Sequence, residues 1–319
     1  MFSVKRSEWY DIYHTKPDPS PIYTERKKYS GLQGKVYIKN VKFYDIGNSG
    51  VIYLHSSDIQ SLISTSSFEN SSNLDKGGSI YIIGSESAVQ RVCSFGSKSS
   101  NTGPFSYFKV SNSDSINKFS ENSVFYSNRG EKIGSSTIYF NSGRISFDQN
   151  NITNNYCDYN SGFWTTGTSS YVYVNFSLID KNDANYRIFG SNVHVEYKNS
   201  IFTKNKIIKQ YGYPGMFTVG SNKSLTFNNC YFSGNNQGSD SLFGTYTDSS
   251  SITITKSYIN KNSTLHSGPG KFTYENTTVS LILSLDPEKL CSFEKIITIK
   301  IKYKSKYFCC LAEILHSTI

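Results

Sequence analysis

An apolar side chain followed three positions later by asparagine recurs six times in this chain of 319 residues. The copies are Phe125–Asn128, Ile152–Asn155, Ile179–Asn182, Phe202–Asn205, Phe232–Asn235 and Ile259–Asn262. Their apolar members stand 27, 27, 23, 30 and 27 residues apart. Phe43, Phe68 and Phe95 extend the series backwards at intervals of 25, 27 and 30, without the asparagine. A period of this length, held over so many copies, is the signature of a stacked repeat architecture.

Further columns align on these anchors. Seven and five residues before them lie the apolar pairs Val36/Ile38, Ile145/Phe147, Val172/Val174, Val195/Tyr197, Leu225/Phe227 and Ile252/Ile254. Each pair alternates with polar neighbours, as a half-buried strand requires. The coils anchored at Phe68, Phe95 and Phe125 fit this register poorly. A third apolar cluster follows the anchors by ten to fifteen residues, often behind Gly or Ser, as at Ile80, Ile138, Phe163, Phe189, Phe217, Phe243 and Phe272. Two residues before the anchors the side chain is mostly small: Ser66, Cys93, Ser123, Ser177, Ser200, Cys230 and Ser257.

One unit with three short strands cannot bury its own apolar face, whereas stacked units share a continuous core. The expected fold is therefore all-β, a right-handed parallel β-helix (a solenoid) of about nine coils with three short strands per coil. Coils one strand spacing apart give a stack roughly 38 Å tall. Composition agrees: alanine occurs only at Ala88, Ala184 and Ala312, while Tyr 25 and Phe 21 abound. Such usage disfavours helical repeats and suits strands. Leucine-rich repeats need several Leu per unit, and propeller blades run to about 40 residues. In the corner after each anchor, Asn tolerates left-handed backbone geometry, and stacked Asn side chains can bond along the axis.

The Phe-x-x-Asn copies at 125–128, 202–205 and 232–235, with Gly77-Gly78-Ser79-Ile80, resemble the FxxN and GGA(I/L/V) repeats of chlamydial polymorphic outer-membrane proteins and similar protist surface proteins. The likeness spans roughly residues 36–275 and implies a β-helix of the pectin-lyase-like kind at a cell surface. It departs from the pattern in having a single Gly-Gly doublet.

Three segments are expected: an extended leader or cap over 1–34, the β-helix over 35–280, and a basic cap or tail over 281–319. The opening MFSVKRSEWYDIYH lacks the apolar core of a secretory signal, and no run of 18 apolar residues suggests a membrane span. Membrane association is expected only through the basic tail or through segments outside this sequence. The net charge of +9 is spread along the chain without a like-charge block, so no nucleic-acid partner is expected.

Reactive constellations are sparse. A pectate-lyase-like site needs clustered carboxylates for calcium, and a polygalacturonase-like site needs paired Asp. Asp148, Asp158, Asp180, Asp183, Asp240 and Asp248 lie mostly in expected turns, with no Asp-Asp pair. His14, His55, His194, His266 and His316 lack metal-ligand spacing, and His194 should point outward. The six cysteines form no Cys-x-x-Cys pair. Cys93 and Cys230 are read as buried members of one column, five coils and about 24 Å apart, too far to bridge. Cys309-Cys310 is open to packing or lipidation. Sequons at Asn70, Asn151, Asn175, Asn222, Asn262 and Asn276 permit glycosylation. Trp164, Tyr171 and Tyr173 are expected on outer faces, where aromatic side chains form cross-strand ladders or stack on sugars. No catalytic, cofactor-binding or metal residue is assigned and no cofactor is expected. The expected function is a non-catalytic structural or adhesive scaffold, with carbohydrate or a cell-surface protein as partner. The alternative is a polysaccharide-binding or polysaccharide-cleaving protein.

Overall fold

The computed structural model of the chain describes residues 8–15, 21–129, 133–167, 171–209, 214–238, 240–260 and 264–280. The chain divides into units 1–279 and 280–319. The expected basic tail, with Cys291, Cys309, Cys310 and His316, lies outside the described residues.

The fold is a right-handed parallel β-solenoid of about nine turns, with incomplete rows at both ends. Three parallel sheets of 11, 10 and 10 strands run along it. In each coil the chain visits a first-sheet strand, usually of five residues, then a three-residue second-sheet strand, then a third-sheet strand. Leu225 and Phe227 of the strand Ser224–Asn228 point inward, while Ser224, Thr226 and Asn228 alternate outward. Equivalent residues stack directly. One column runs Ile38, Ile63, Val89, Phe119, Phe147, Val174, Tyr197, Phe227 and Ile254. In the first two sheets equivalent inward rings lie flat on one another: Tyr197 on Phe227 at 4.7 Å and 12°, Phe202 on Phe232 at 4.8 Å and 10°. Each buried ring contributes on the order of 2 kcal/mol from the area it removes from water.

Left-handed residues bracket the second sheet and confine its strands to three residues. Three places before the inward anchor stand Asn40, Thr65, Arg91, Glu121, Gln149, Phe176, Asn199, Asn229 and Lys256, all at positive φ. Two places after the anchor stand Asp45, Asn70, Gly96, Asn154, Lys181, Lys204 and Gly234, also at positive φ. The left-handed corner position is thus the residue before the repeating Asn, and not the Asn itself.

The inward file of the second sheet is Phe43, Phe68, Ser94, Val124, Ile152, Ile179, Phe202, Phe232 and Ile259. This corrects the repeat at two coils: Phe95 and Phe125 are half-buried on the outer face, one residue out of file. Hydrogen bonding decides the register. The Ser127 N–H, and not that of Asn128, donates to Asn155 Oδ1 at 2.9 Å. Side chains alternate with period two, so placing Ser127 in the corner turns Val124 in and Phe125 out. Phe125–Asn128 therefore matches the repeat by coincidence of spelling. The small column shifts likewise: Val92 and Asn122 replace Cys93 and Ser123. Cys93 is half-buried on the outer face and shares no column with Cys230. The Phe68 coil carries Ser61/Ile63 in the expected register, and in the corrected one the other two poorly fitting coils carry Ser87/Val89 and Asn117/Phe119 as their inward pairs. Phe105, fully buried, sets its ring 6.0 Å from both Phe68 and Phe119. Phe272 belongs to the first sheet, opposite Ile252, and not to the third cluster.

Both corners of the second sheet are polar ladders. In the second, Asn155, Asn182, Asn205 and Asn235 stack in successive coils. Asn155 N, Asn182 N and Asn205 N donate to the Oδ1 of the next member at 3.0, 3.1 and 3.1 Å. Their Nδ2 groups donate to that same oxygen and to a carbonyl of the preceding coil, for example Asn182 Nδ2 to Ile152 O at 2.8 Å. Asn262 lies outside the described residues. In the first corner, Asn122 and Asn150 and the hydroxyls of Ser66, Ser177, Ser200 and Ser257 accept backbone N–H groups from the coil before. Buried amides at sharp bends thereby gain partners they would otherwise lack.

The leader is not extended throughout. Helix α1 (Glu8–Tyr13) lies on the outer side of the first sheet, burying Trp9, Ile12 and Tyr13 on Tyr37, Leu62 and Ala88. Residues 22–23 and 29–30 already pair with the first and third sheets. The Tyr29 ring stands edge-on to Phe43 at 6.1 Å and closes the bottom of the core.

Candidate functional site

A tyrosine file occupies the outer side of the third sheet. Tyr53, Tyr81, Tyr107 and Tyr139 pair in register. Their rings stack at 4.5, 5.2 and 5.0 Å, with planes within 6–11° of parallel. Both faces of the inner rings are covered by neighbours, so the file is a cross-strand ladder. Partial burial pushes the Tyr81 phenol up to about 12, with the adjacent tyrosines adding to it. Trp164 continues the file opposite Tyr139. The Trp164 ring lies over Gly190, where a Cβ would come within 2.2 Å of it. The Arg187 guanidinium stands 4.7 Å from the same ring and donates to Tyr246 Oη at 2.8 Å and Thr218 Oγ1 at 3.2 Å. Tyr173 faces outward on the first sheet and is 41 % exposed. The Tyr171 side chain lies outside the described part of the molecule.

A cleft opens where the chain passes from the second to the third sheet. Tyr159 and Tyr186, equivalent residues of adjacent coils, stack at 4.4 Å with planes 2° apart. Ser136 pairs with Asn160, and Asn160 bridges to Arg187, so Ser135 takes the place of Tyr159 one coil earlier. The two-ring stack ends there. The Tyr159 face turned away from Tyr186 looks into a cleft of about 490 Å³ bordered by Asn101, Ser135, Asp158, Asn185 and Lys209. Gly134 keeps the floor low. It has φ +88, and a Cβ would sit 2.4 Å from Asn128 Nδ2. Asn128, displaced from the corner ladder, donates that Nδ2 to Ile133 O and Ser99 O, both at 2.7 Å, and so holds the floor in place.

The polar groups of the cleft are set by local bonds. Asn185 Nδ2 donates to Asp158 Oδ1. Asn101 Nδ2 donates to Asp75 Oδ1 at 2.8 Å. Burial raises the nearby Tyr156 phenol, and the charges of Asp158 and Asp183 push it the same way. The cleft thus offers one open aromatic face, a carboxylate, two amides, the hydroxyls of Ser100, Ser135 and Tyr156, and an exposed ammonium.

The residues singled out in the sequence are dispersed. Asp148, Asp180 and Asp183 stand on strands and not in turns. Asp180 accepts from Thr203 Oγ1 at 2.8 Å, and Asp183 pairs with Arg129 at 2.9 Å. His194 is exposed as expected, with Nδ1 2.8 Å from Ser224 Oγ. His55 lies beside the rings of Tyr53 and Tyr81, and His266 stacks on Phe272 at 4.4 Å. Among the described residues no group of three or more His, Cys, Asp or Glu could hold a metal ion. Cys93, Cys157 and Cys230 are free thiols, and burial pushes Cys157 and Cys230 up to about 12. No helix among the described residues is long and apolar enough to cross a membrane.

Comparisons with family models, with curated proteins and with solved structures return no match to this chain. The cleft escaped the sequence reading because Tyr159, Asp158 and Asn185 fall in the spacing between repeat columns. The one available signal was the pair Tyr159/Tyr186, separated by the same interval of 27 as the anchors Ile152/Ile179.

Proposed function

We propose that this chain is a non-catalytic β-helical scaffold of the structural or adhesive kind. The observation that carries this reading is how the polar side chains are used. Inward amides and hydroxyls satisfy the backbone of neighbouring coils. The outward carboxylates of Glu86, Asp158, Asp180 and Asp183 answer to an amide, hydroxyl or cation beside them, coil by coil. Acid–base work on a substrate calls for two such groups converging on one reacting atom within hydrogen-bond reach. The interior is filled by stacked apolar columns, which suits a rigid rod that displays its faces.

The test is turnover. Purified full-length chain is incubated with a panel of neutral and acidic polysaccharides, and new reducing or unsaturated ends are measured. The expected result is no product above a heat-treated control. Product formation that disappears on replacing a single carboxylate, with the fold intact by circular dichroism, overturns the reading.

A further inference from the structure

We infer that the cleft beneath Tyr159 binds one ring of a neutral oligosaccharide, an inference that rests on the adhesive reading and names its ligand. A sugar ring presents an apolar C–H face and a rim of hydroxyls. It needs a flat aromatic platform and, around it, short side chains that both donate and accept hydrogen bonds. The inner rings of the Tyr53–Tyr139 ladder are covered on both faces, Trp164 lies against Tyr139 on one side and Gly190 and Arg187 on the other, and the Tyr231–Tyr258 stack at 5.2 Å does not border the cleft. Tyr159 differs. One face rests on Tyr186 at 4.4 Å, which holds the ring rigid, and the stack stops at Ser135. Tyr159 is 37 % exposed although braced from behind.

The rim matches the platform. Asn101, Ser135, Asp158 and Asn185 all border the same opening. The contact of Asn185 with Asp158 fixes that carboxylate beside the platform. An oriented carboxylate accepting from vicinal hydroxyls is a strong, charge-assisted contact. Asp158 and the Lys209 ammonium leave the rim without net charge, so a neutral sugar is the better fit than an acidic one. The volume of about 490 Å³ lies in the range of small-ligand sites and exceeds one ring, leaving the chain room to continue along the corner.

The experiment uses the full chain on an array of neutral oligosaccharides, namely gluco-, xylo-, galacto-, manno- and N-acetylglucosamine series, followed by titration calorimetry on the best binder. Binding should weaken about tenfold or more in Tyr159→Ala and in Asp158→Ala. It should be kept within about twofold in Tyr159→Phe, which retains the ring, and in Tyr173→Ala, an exposed tyrosine elsewhere. An array without binding overturns the inference, as does binding that survives both Tyr159→Ala and Asp158→Ala. Thermal unfolding of each variant at the parental temperature ties a loss to the cleft; Tyr159→Phe supplies the same check where Tyr159→Ala unfolds. Cleavage of a bound sugar would overturn the non-catalytic reading while leaving the cleft assignment standing, so the two fail separately.

Discussion

Asn155 and Asn182 stand one coil apart and meet through two hydrogen bonds to a single oxygen. The backbone N–H and the Nδ2 of Asn155 both reach Asn182 Oδ1 at 3.0 Å. Asn182 in turn donates to Ile152 O at 2.8 Å. Removing that side chain takes the acceptor from the buried Asn155 N–H and one partner each from Asn155 Nδ2, which keeps Val124 O, and from Ile152 O. Asn182→Ala should destabilise the fold by about 3 kcal/mol, since each unsatisfied buried group costs ~1–3 kcal/mol. Denaturant unfolding measures it, and a loss below about 1 kcal/mol would show that the ladder is ornamental.

Val124 and Phe125 test the register. Val124 is fully buried, whereas Phe125 is half-buried on the outer face. Val124→Ala should cost about 2 kcal/mol through cavity and transfer effects, and Phe125→Ser less than about 1 kcal/mol. The simple spelling of the repeat forecasts the reverse order. Paired equilibrium unfolding curves decide between them.

Thr65 sits in the left-handed region at φ 49 although it is β-branched and exposed. Its equivalents Asn40, Asn199 and Asn229 carry the residue type that tolerates this geometry best. Thr65→Asn should raise stability by about 1 kcal/mol. A melting temperature that stays level or falls would refute strain at this corner.

Glu8 joins the N-terminal helix to the coils through Arg91, Lys39 at 3.4 Å, Ser64 at 2.7 Å and the Tyr37 hydroxyl. Burial pushes the carboxyl up, but the hydrogen bonds from Tyr37 and Ser64 and the charges of Arg91 and Lys39 outweigh it. They hold the group at about 2 against an ordinary 4.5. A depressed carboxyl stabilises fully above its unfolded value and loses that contribution as pH falls through its folded value. Docking of the helix should therefore be constant above about pH 4.5 and weaken from there toward pH 2. Trp9 fluorescence in a Trp164→Phe background reports it. Glu8→Gln should be less stable at neutral pH and lack this acid step; a step of equal size in the variant would point to other carboxylates.

Much of the architecture was legible before any coordinates. The period, the three strands per coil, the core pairs such as Leu225/Phe227 and the Asn corner all follow from residues that recur at fixed distances from an anchor. The third sheet was less legible because the loop ahead of it varies in length. Tyr53, Tyr81, Tyr107, Tyr139 and Trp164 form one file, yet they stand 10, 13, 13, 15 and 12 residues after their anchors. No fixed offset reveals such a file.

By itself, then, the sequence determined the solenoid, because period-two alternation and a repeat near 27 residues leave few other ways to bury those side chains. The tertiary structure alone decided the one-residue shift at Val124, the tyrosine ladder and the open face of Tyr159. Each depends on which residue lies directly above or below another. Hydrogen bonding between coils settles that, not distance along the chain.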